Sequence, residues 1–362
     1  MDNTQWQFVK ILSDSLKDEQ SSIDKDIDYD KILELGKEHN VDGILYHRLI
    51  SNDIYEYIPK EKRDYLKKKI YRIKNEQTKF IYDATNIFKK FNQNNIKFIL
   101  LGEVAVRNLY RFPEQREATE TKILVNNDDI DNIKNALLEL NYRVTKNSED
   151  KNIIRFINKN NRVVNVFFHI YNNELYTNHI KIYEKNVWKK AIKINIGDSE
   201  LLSLDYEDLL ILICINIADD IRSGNFELRK LCDFALIVYK KNNEINWDSF
   251  IMKARMYGVE KFSNIMFILC NELFNIDVPE EIDTKKINSK KYINALLNEI
   301  FSSNEEEINE VATDIGSIKD NFKFDIREIG EIIKELIKKI KLIINKFVVH
   351  RNKERLFEWM EI

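Results

Sequence analysis

The residues from Phe98 to Val125 read FILLGEVAVRNLYRFPEQREATETKILV, and their charges are spaced for phosphate chemistry. Glu120 and Lys122 stand two apart in ETKILV, a run of strand-forming residues. Side chains alternate along a strand, so both point to one face. A carboxylate there can offer oxygen to Mg2+. An ammonium has no lone pair and repels a cation, but with Arg116 it can hold a phosphate or another anion directly. Gly102 ends the preceding apolar run, FILLG. At a strand-to-helix turn, glycine permits a positive φ and a close approach of backbone to phosphate.

Other residues could join them. Glu103 and Glu117 are carboxylates close by in sequence. His169 follows the strand-like VFF and reads either as a strand-end histidine or as a base. Arg229 and Asp233 lie four apart in ELRKLCDFALIV, the spacing of a helical i,i+4 pair. Glu120 and Lys122 have a plain alternative too, a same-face salt bridge on an exposed edge strand with no ligand. Cys214, Cys232 and Cys270 are far apart in apolar helical patterns, which points to small buried residues and away from a disulfide framework or zinc site.

These groups need elements to position them. Residues 1–95 are helical by pattern, with an apolar stripe from Trp6, Phe8, Val9, Ile11 and Leu12, and with Pro59 where a long amphipathic stretch of one or two helices begins. Residues 96–200 change character. IKFILLG is a strand buried on both faces, and EVAVRNLYRF returns to helical spacing until Pro113. TKILV is a second strand, and NNDDIDNIKNALLELN is a helix with Asn127 or Asp128 as its cap. YRVTKN, NIIRFINKN and RVVNVFFHIYN then alternate like neighbouring strands, with NKNN as a hairpin turn. Residues 201–300 form a second helical lobe, with Ser203 and Asp205 as caps of a strongly apolar helix. Residues 301–362 hold an acidic linker, Ser302 to Glu310, and a basic amphipathic helix from Gly330 that suits an anionic membrane surface, a partner, or packing on the body.

Composition sets the outer bounds. At 362 residues with eight Gly and three Pro, the chain favours two or three domains of long helices with few tight turns. With 57 basic and 60 acidic residues, its net charge of -3 gives no case for general nucleic-acid binding by the whole protein. The N-terminus lacks a signal-peptide pattern and no apolar run is long enough to span a membrane, so a cytoplasmic protein is expected.

The order of these segments is similar to one known family. From about residue 25 to 275 the chain resembles the uncharacterised nucleotidyltransferase-like proteins, distant relatives of the polymerase-β nucleotidyltransferase superfamily. ILELGKEHNVDGILYHRL resembles the family's helical opening, NNIKFILLGEVAVRNLYRFPEQR its glycine segment, and ELRKLCDFALIV its later helix. The resemblance implies an α+β, mostly helical fold: a small nucleotidyltransferase-like mixed-sheet core flanked by N- and C-terminal helical lobes. It also implies that Arg229 and Asp233 face the cleft.

Family members continue from the arginine into a strand with two aspartates that share divalent ions. Here Glu120 and Lys122 take those places, Leu101 stands where a basic residue precedes the glycine, and the strand expected to bring a third carboxylate offers Asn165 and His169. The resemblance therefore implies one of three things. The first is a degenerate module whose cleft is empty or in which Lys122 and Arg116 hold a nucleotide or phosphate-like ligand. The second is an active enzyme using Mg2+ and a nucleoside triphosphate, with Glu120 as surviving metal ligand and catalytic residue and Glu103 or Glu117 as helpers. The third is a docking partner of another protein. No cofactor follows from the residues alone.

Overall fold

The computed structural model describes the chain except residues 25, 52, 146–151, 171–185, 224–225, 286, 288–289, 302–356 and 361–362. The acidic linker and the basic C-terminal helix expected from the sequence lie outside the described residues. The chain divides into two compact units, residues 2–286 and residues 287–362 with Met1. Within the second unit, helix α11 spans Lys290–Phe301.

In the first unit, α1 (Asn3–Lys17) starts at a capping box in which Asp2 accepts from the Gln5 backbone and the Gln5 side chain accepts from the Asp2 backbone. Helices α2 (Tyr29–Glu38) and α3 (Asp42–Ser51) follow. Then α4 (Lys60–Gln93) runs unbroken for 34 residues from Pro59, a residue whose fixed φ suits a helix start. Its buried stripe, Phe80, Ala84, Ile87, Phe88 and Phe91, packs on the sheet.

The sheet has seven strands: β1 (Phe98–Leu101), β2 (Glu120–Val125), β3 (Arg143–Val144), β4 (Ile153–Ile157), β5 (Val163–Phe167), β6 (Ile192–Ile196) and β7 (Ser199–Ser203). Their order is β3-β4-β5-β2-β1-β7-β6, with β2 parallel to β5, β1 parallel to β7, and the other pairs antiparallel. A short α5 (Glu103–Val106) follows β1, and α6 (Ile130–Glu139) follows β2. Leu100, Ile123, Val125, Val164 and Val166 bury one core with the α4 stripe and with Ile133, Ala136 and Leu137 of α6. Burial of this kind is the main favourable term in folding.

Four further helices complete the unit: α7 (Tyr206–Ser223), α8 (Leu228–Lys241), α9 (Trp247–Met256) and α10 (Glu260–Phe274). Edge-to-face contacts join Phe234, Phe250 and Phe267, with Trp247 against the last two. The Ser13 hydroxyl of α1 donates to the Phe274 carbonyl across 2.8 Å, so the first helix packs with the last of these. The fold is α+β and mostly helical, a mixed sheet carried between N- and C-terminal helices.

Three local expectations need correction. The helix after β2 begins at Ile130 with Asp129 as N-cap and no side-chain cap bond, because Asn127–Asp129 form a 3-10 turn first. Residues 192–203 form the β6–β7 hairpin, so Leu201–Ser203 end a strand instead of opening the second helical lobe, and the cap of the next helix is Asp205, which accepts from Asp208 N at 2.7 Å; the alternation of exposed Lys193 and Asn195 with half-buried Ile192 and Ile194 is the strand period. Strand β2 is not an edge strand, since β1 and β5 flank it.

Candidate functional site

The site grows from the turn between β1 and β2. All four residues of β1 are buried, and the strand ends at Gly102 with φ 63° and ψ −132°, a conformation that only glycine adopts without strain. A methyl group added there would lie 3.7 Å from Cδ of Lys122, so the glycine backs directly on the lysine stem. Antiparallel pairing sets Leu101 opposite Lys122, and parallel pairing sets Lys122 beside Asn165 and Glu120 beside Val163.

Glu120 and Lys122 therefore share a face, half-buried, with Asn165 on the next strand. Lys122 Nζ lies 2.8 Å from Glu120 Oε1, and Asn165 Nδ2 donates to Glu120 Oε2 across 2.6 Å. Both carboxylate oxygens thus have a partner. The Lys122 charge also acts on Glu103 and on Asp220 of α7. Burial alone would raise the Glu103 carboxyl, but Arg116, Arg229, Lys122 and the Thr119 backbone outweigh it and hold it below its ordinary value. Its Oε2 is buried and lacks a hydrogen-bond partner among the described residues. Asp220 shifts upward, chiefly through burial, although its ion pair with Lys230 opposes this.

Arg116, expected as an anion ligand, is committed elsewhere. Its side chain is fully buried and donates to both oxygens of Asp233, Nε at 2.8 and 3.0 Å and Nη2 at 2.7 Å, while Nη1 donates to the Glu117 carbonyl. Tyr110 donates to the same carboxylate across 2.8 Å. Burial would lower the Arg116 pKa, but Asp233 and Glu103 raise it, so the guanidinium stays charged. Asp233 consequently does not pair with Arg229 four residues earlier. Arg229 turns to Glu227 at 3.1 Å, to the Glu117 carbonyl at 3.2 Å and toward Glu103 at 3.9 Å. Glu117 meets both arginines through its backbone; its carboxyl is shifted up by burial and by Asp42.

His169 stands apart. It is exposed beyond the end of β5, six residues past the one beside Glu120, and so at the other end of that strand. Two further contributors belong to no recognisable motif. Gln77 of α4 clamps the segment entering β2, accepting from Ala118 N at 3.0 Å and donating to Ala118 O at 3.1 Å. Its signal was a polar residue within the buried stripe of an amphipathic helix. The other is the Asp220–Lys230 pair, for which no local pattern exists.

The cations that the resemblance implies do not fit this site. An Mg2+ ion needs hard oxygen ligands held in near-octahedral geometry. Here Lys122 occupies one of the two ligand positions, Asn165 stands on the neighbouring strand, and both oxygens of Glu120 are bonded. Among the described residues no group of three or more acidic, His or Cys side chains is placed to hold a metal. The three cysteines are buried and free. No helix among the described residues is long and apolar enough to cross a membrane.

No curated protein matches this chain. Among solved structures, the antibiotic-resistance factor ANT(2'')-Ia in solution is similar at 9% identity, over 51% of this chain and 96% of that one, with a TM-score of 0.37. The crystal structure of ANT(2'')-Ia with adenylyl-2''-tobramycin gives 9% identity, 49% and 97% coverage and 0.36. A nucleotidyltransferase-like protein of Paracoccidioides brasiliensis gives 12%, 54%, 91% and 0.32. The model of a family described as uncharacterised nucleotidyltransferase matches residues 25–275. With that match spanning more than half of its length, the chain belongs to this family of uncharacterised nucleotidyltransferases.

Proposed function

We propose that this protein is a nucleotidyltransferase-fold module that does not perform two-metal nucleotidyl transfer and that binds a nucleotide or other phosphate-like ligand at Lys122. One observation carries the reading: Lys122 and Asn165 engage both oxygens of Glu120, the carboxylate on which a metal would depend. An incoming cation would have to displace an ion pair and a hydrogen bond and then sit beside an ammonium. A phosphate competes with Glu120 for Lys122, beside the carboxylates of Glu103 and Asp220, and gains a charge-assisted hydrogen bond. Arg116 is not available to the ligand in this reading, because Asp233 holds its fork.

A second reading is transfer of a nucleoside monophosphate to a protein, peptide, RNA or small-molecule acceptor with an atypical metal site. What favours it is the buried Oε2 of Glu103, without a hydrogen-bond partner among the described residues and within the field of Lys122.

Calorimetric titration of ATP, CTP, GTP and UTP, in Mg2+ and in EDTA, separates the two. Metal-independent binding that disappears in Lys122→Ala is expected. Mg2+-dependent binding followed by pyrophosphate release would sink the first reading and support the second.

A further inference from the structure

The near-neutral charge of the whole chain hides a strong local excess. Helix α4 holds eleven Lys and Arg against four Asp and Glu, seven positive charges in excess. Removing these from the totals of 57 and 60 leaves 46 basic and 56 acidic residues in the rest of the chain. The helix sorts these charges by face. Leu66, Ile73, Gln77, Phe80 and Ala84 are buried, and the opposite stripe is exposed.

Along that outward stripe stand Lys60, Lys67, Lys68, Tyr71, Arg72 and Tyr82, with the acidic Glu61 and Asp64 among them, all exposed. Tyr71 is 70% and Tyr82 66% accessible, values unusual for large aromatics with no packing role. They lie eleven residues apart, three helical turns, so their rings project from the same side about 16 Å from each other. Lys60, Lys68 and Arg72 have no ion-pair partner among the described residues, so their charge is not spent within the fold.

We propose that this face of α4 binds single-stranded nucleic acid. Its cations follow the phosphates, while Tyr71 and Tyr82 give platforms on which unpaired bases stack. An anionic membrane would be met by the same lysines, but two isolated tyrosines flanked by polar Asn75 and Thr78 make no apolar face to insert. An acidic protein would leave the rings without a π-stacked partner. The helix also passes the entry to β2, where Gln77 grips Ala118 two residues before Glu120. Gln77 lies on the buried side of the helix, opposite the outward stripe. The inference stands without the reading of that site, since it concerns a separate surface.

The test is fluorescence anisotropy with a labelled 16-nucleotide oligouridylate and the full chain. Binding is expected with a log–log salt slope of about −3, from roughly four phosphate contacts at 0.7 each. The double variant K68E/R72E should bind at least about tenfold more weakly, and Y71A and Y82A about fivefold or more each, all with unchanged melting temperature because these side chains are exposed. A duplex of similar length should bind more weakly than the single strand, its bases being stacked on each other. Three results would each overturn the proposal: no binding at low salt, affinity unaffected by both tyrosine changes, or phosphatidylserine vesicles displacing the oligonucleotide as effectively as unlabelled RNA does.

Discussion

Lys122 and Glu120 stand two residues apart on β2 and form a 2.8 Å ion pair with both side chains about a quarter exposed. Position and partner are linked: the alternation of the strand puts the two groups on one face, and the pairing with β5 brings Asn165 to the remaining carboxylate oxygen. The result is a closed, nearly neutral set of three side chains.

Opening that set in either direction should change what it binds. Lys122→Asp places two carboxylates on one face and should create Mg2+-dependent ATP binding, measured by calorimetry. Glu120→Gln removes the counter-charge and should strengthen metal-free triphosphate binding by about twofold to fivefold, the scale of a partly exposed ion pair. Identical titrations for both variants and the unmodified protein would count against a ligand role for Lys122.

The pair of Arg116 and Asp233 is a structural clasp. Asp233→Ala should lower unfolding stability by about 3–5 kcal/mol, since it strands a fully buried guanidinium. Arg116→Ala should cost a similar amount. In urea unfolding, the double variant should cost much less than the sum of the two, because each single change leaves a charge uncompensated. Additive losses would show that the two charges do not depend on each other.

Gly102→Ala probes the backbone alone. The added methyl group meets Lys122 at an ordinary contact distance, so no clash arises, but φ 63° with ψ −132° is strained for alanine. A loss of about 1–3 kcal/mol is expected in thermal or urea unfolding. An unchanged midpoint would mean that the turn relaxes to another conformation.

His39 makes stability depend on pH. Burial lowers its pKa from 6.5 to about 4. The unfolded chain therefore binds the proton first, so the contribution is fully present above pH 6.5, declines as pH falls, and is gone below about 4. At about 1.4 kcal/mol per unit this amounts to roughly 3 kcal/mol. Asp208 acts in the opposite sense: burial, with Asp205 adding and Lys253 opposing, pushes it up to about 6, so its contribution is lost as pH rises from 3.8 through 6. Urea unfolding of His39→Gln between pH 4 and 7 isolates the histidine part, and the variant should lose less stability on acidification than the parent chain.

Much of the architecture was legible because its signals are local. FILLG is short, apolar and closed by glycine, and β1 followed by the Gly102 turn is what it forms. Pro59 opened α4, and the pattern after β2 produced α6. The hairpin at 192–203 also had a local signal, alternating Ile with Lys and Asn, but its place beside β1 came from a parallel pairing of Leu100 with Ser203 across a hundred residues. In the site, the shared face of Glu120 and Lys122 was readable. The occupation of Arg116 by Asp233 was not, and the i,i+4 spacing of Arg229 and Asp233 pointed to the wrong partner.

By itself the sequence determined most of the elements around the site, the charge on each face and the residues placed at the expected metal positions, because strand and helix periods are properties of neighbouring residues. Only the tertiary structure decided which charges are spent and which remain. Arg116 meets Asp233 across 117 residues, Glu120 meets Asn165 across 45, and Gln77 meets Ala118 across 41. Such partners follow from strand order, register and the packing of helices on the sheet. No local period encodes them, and a buried charge is stable only where that packing brings its counter-charge within reach.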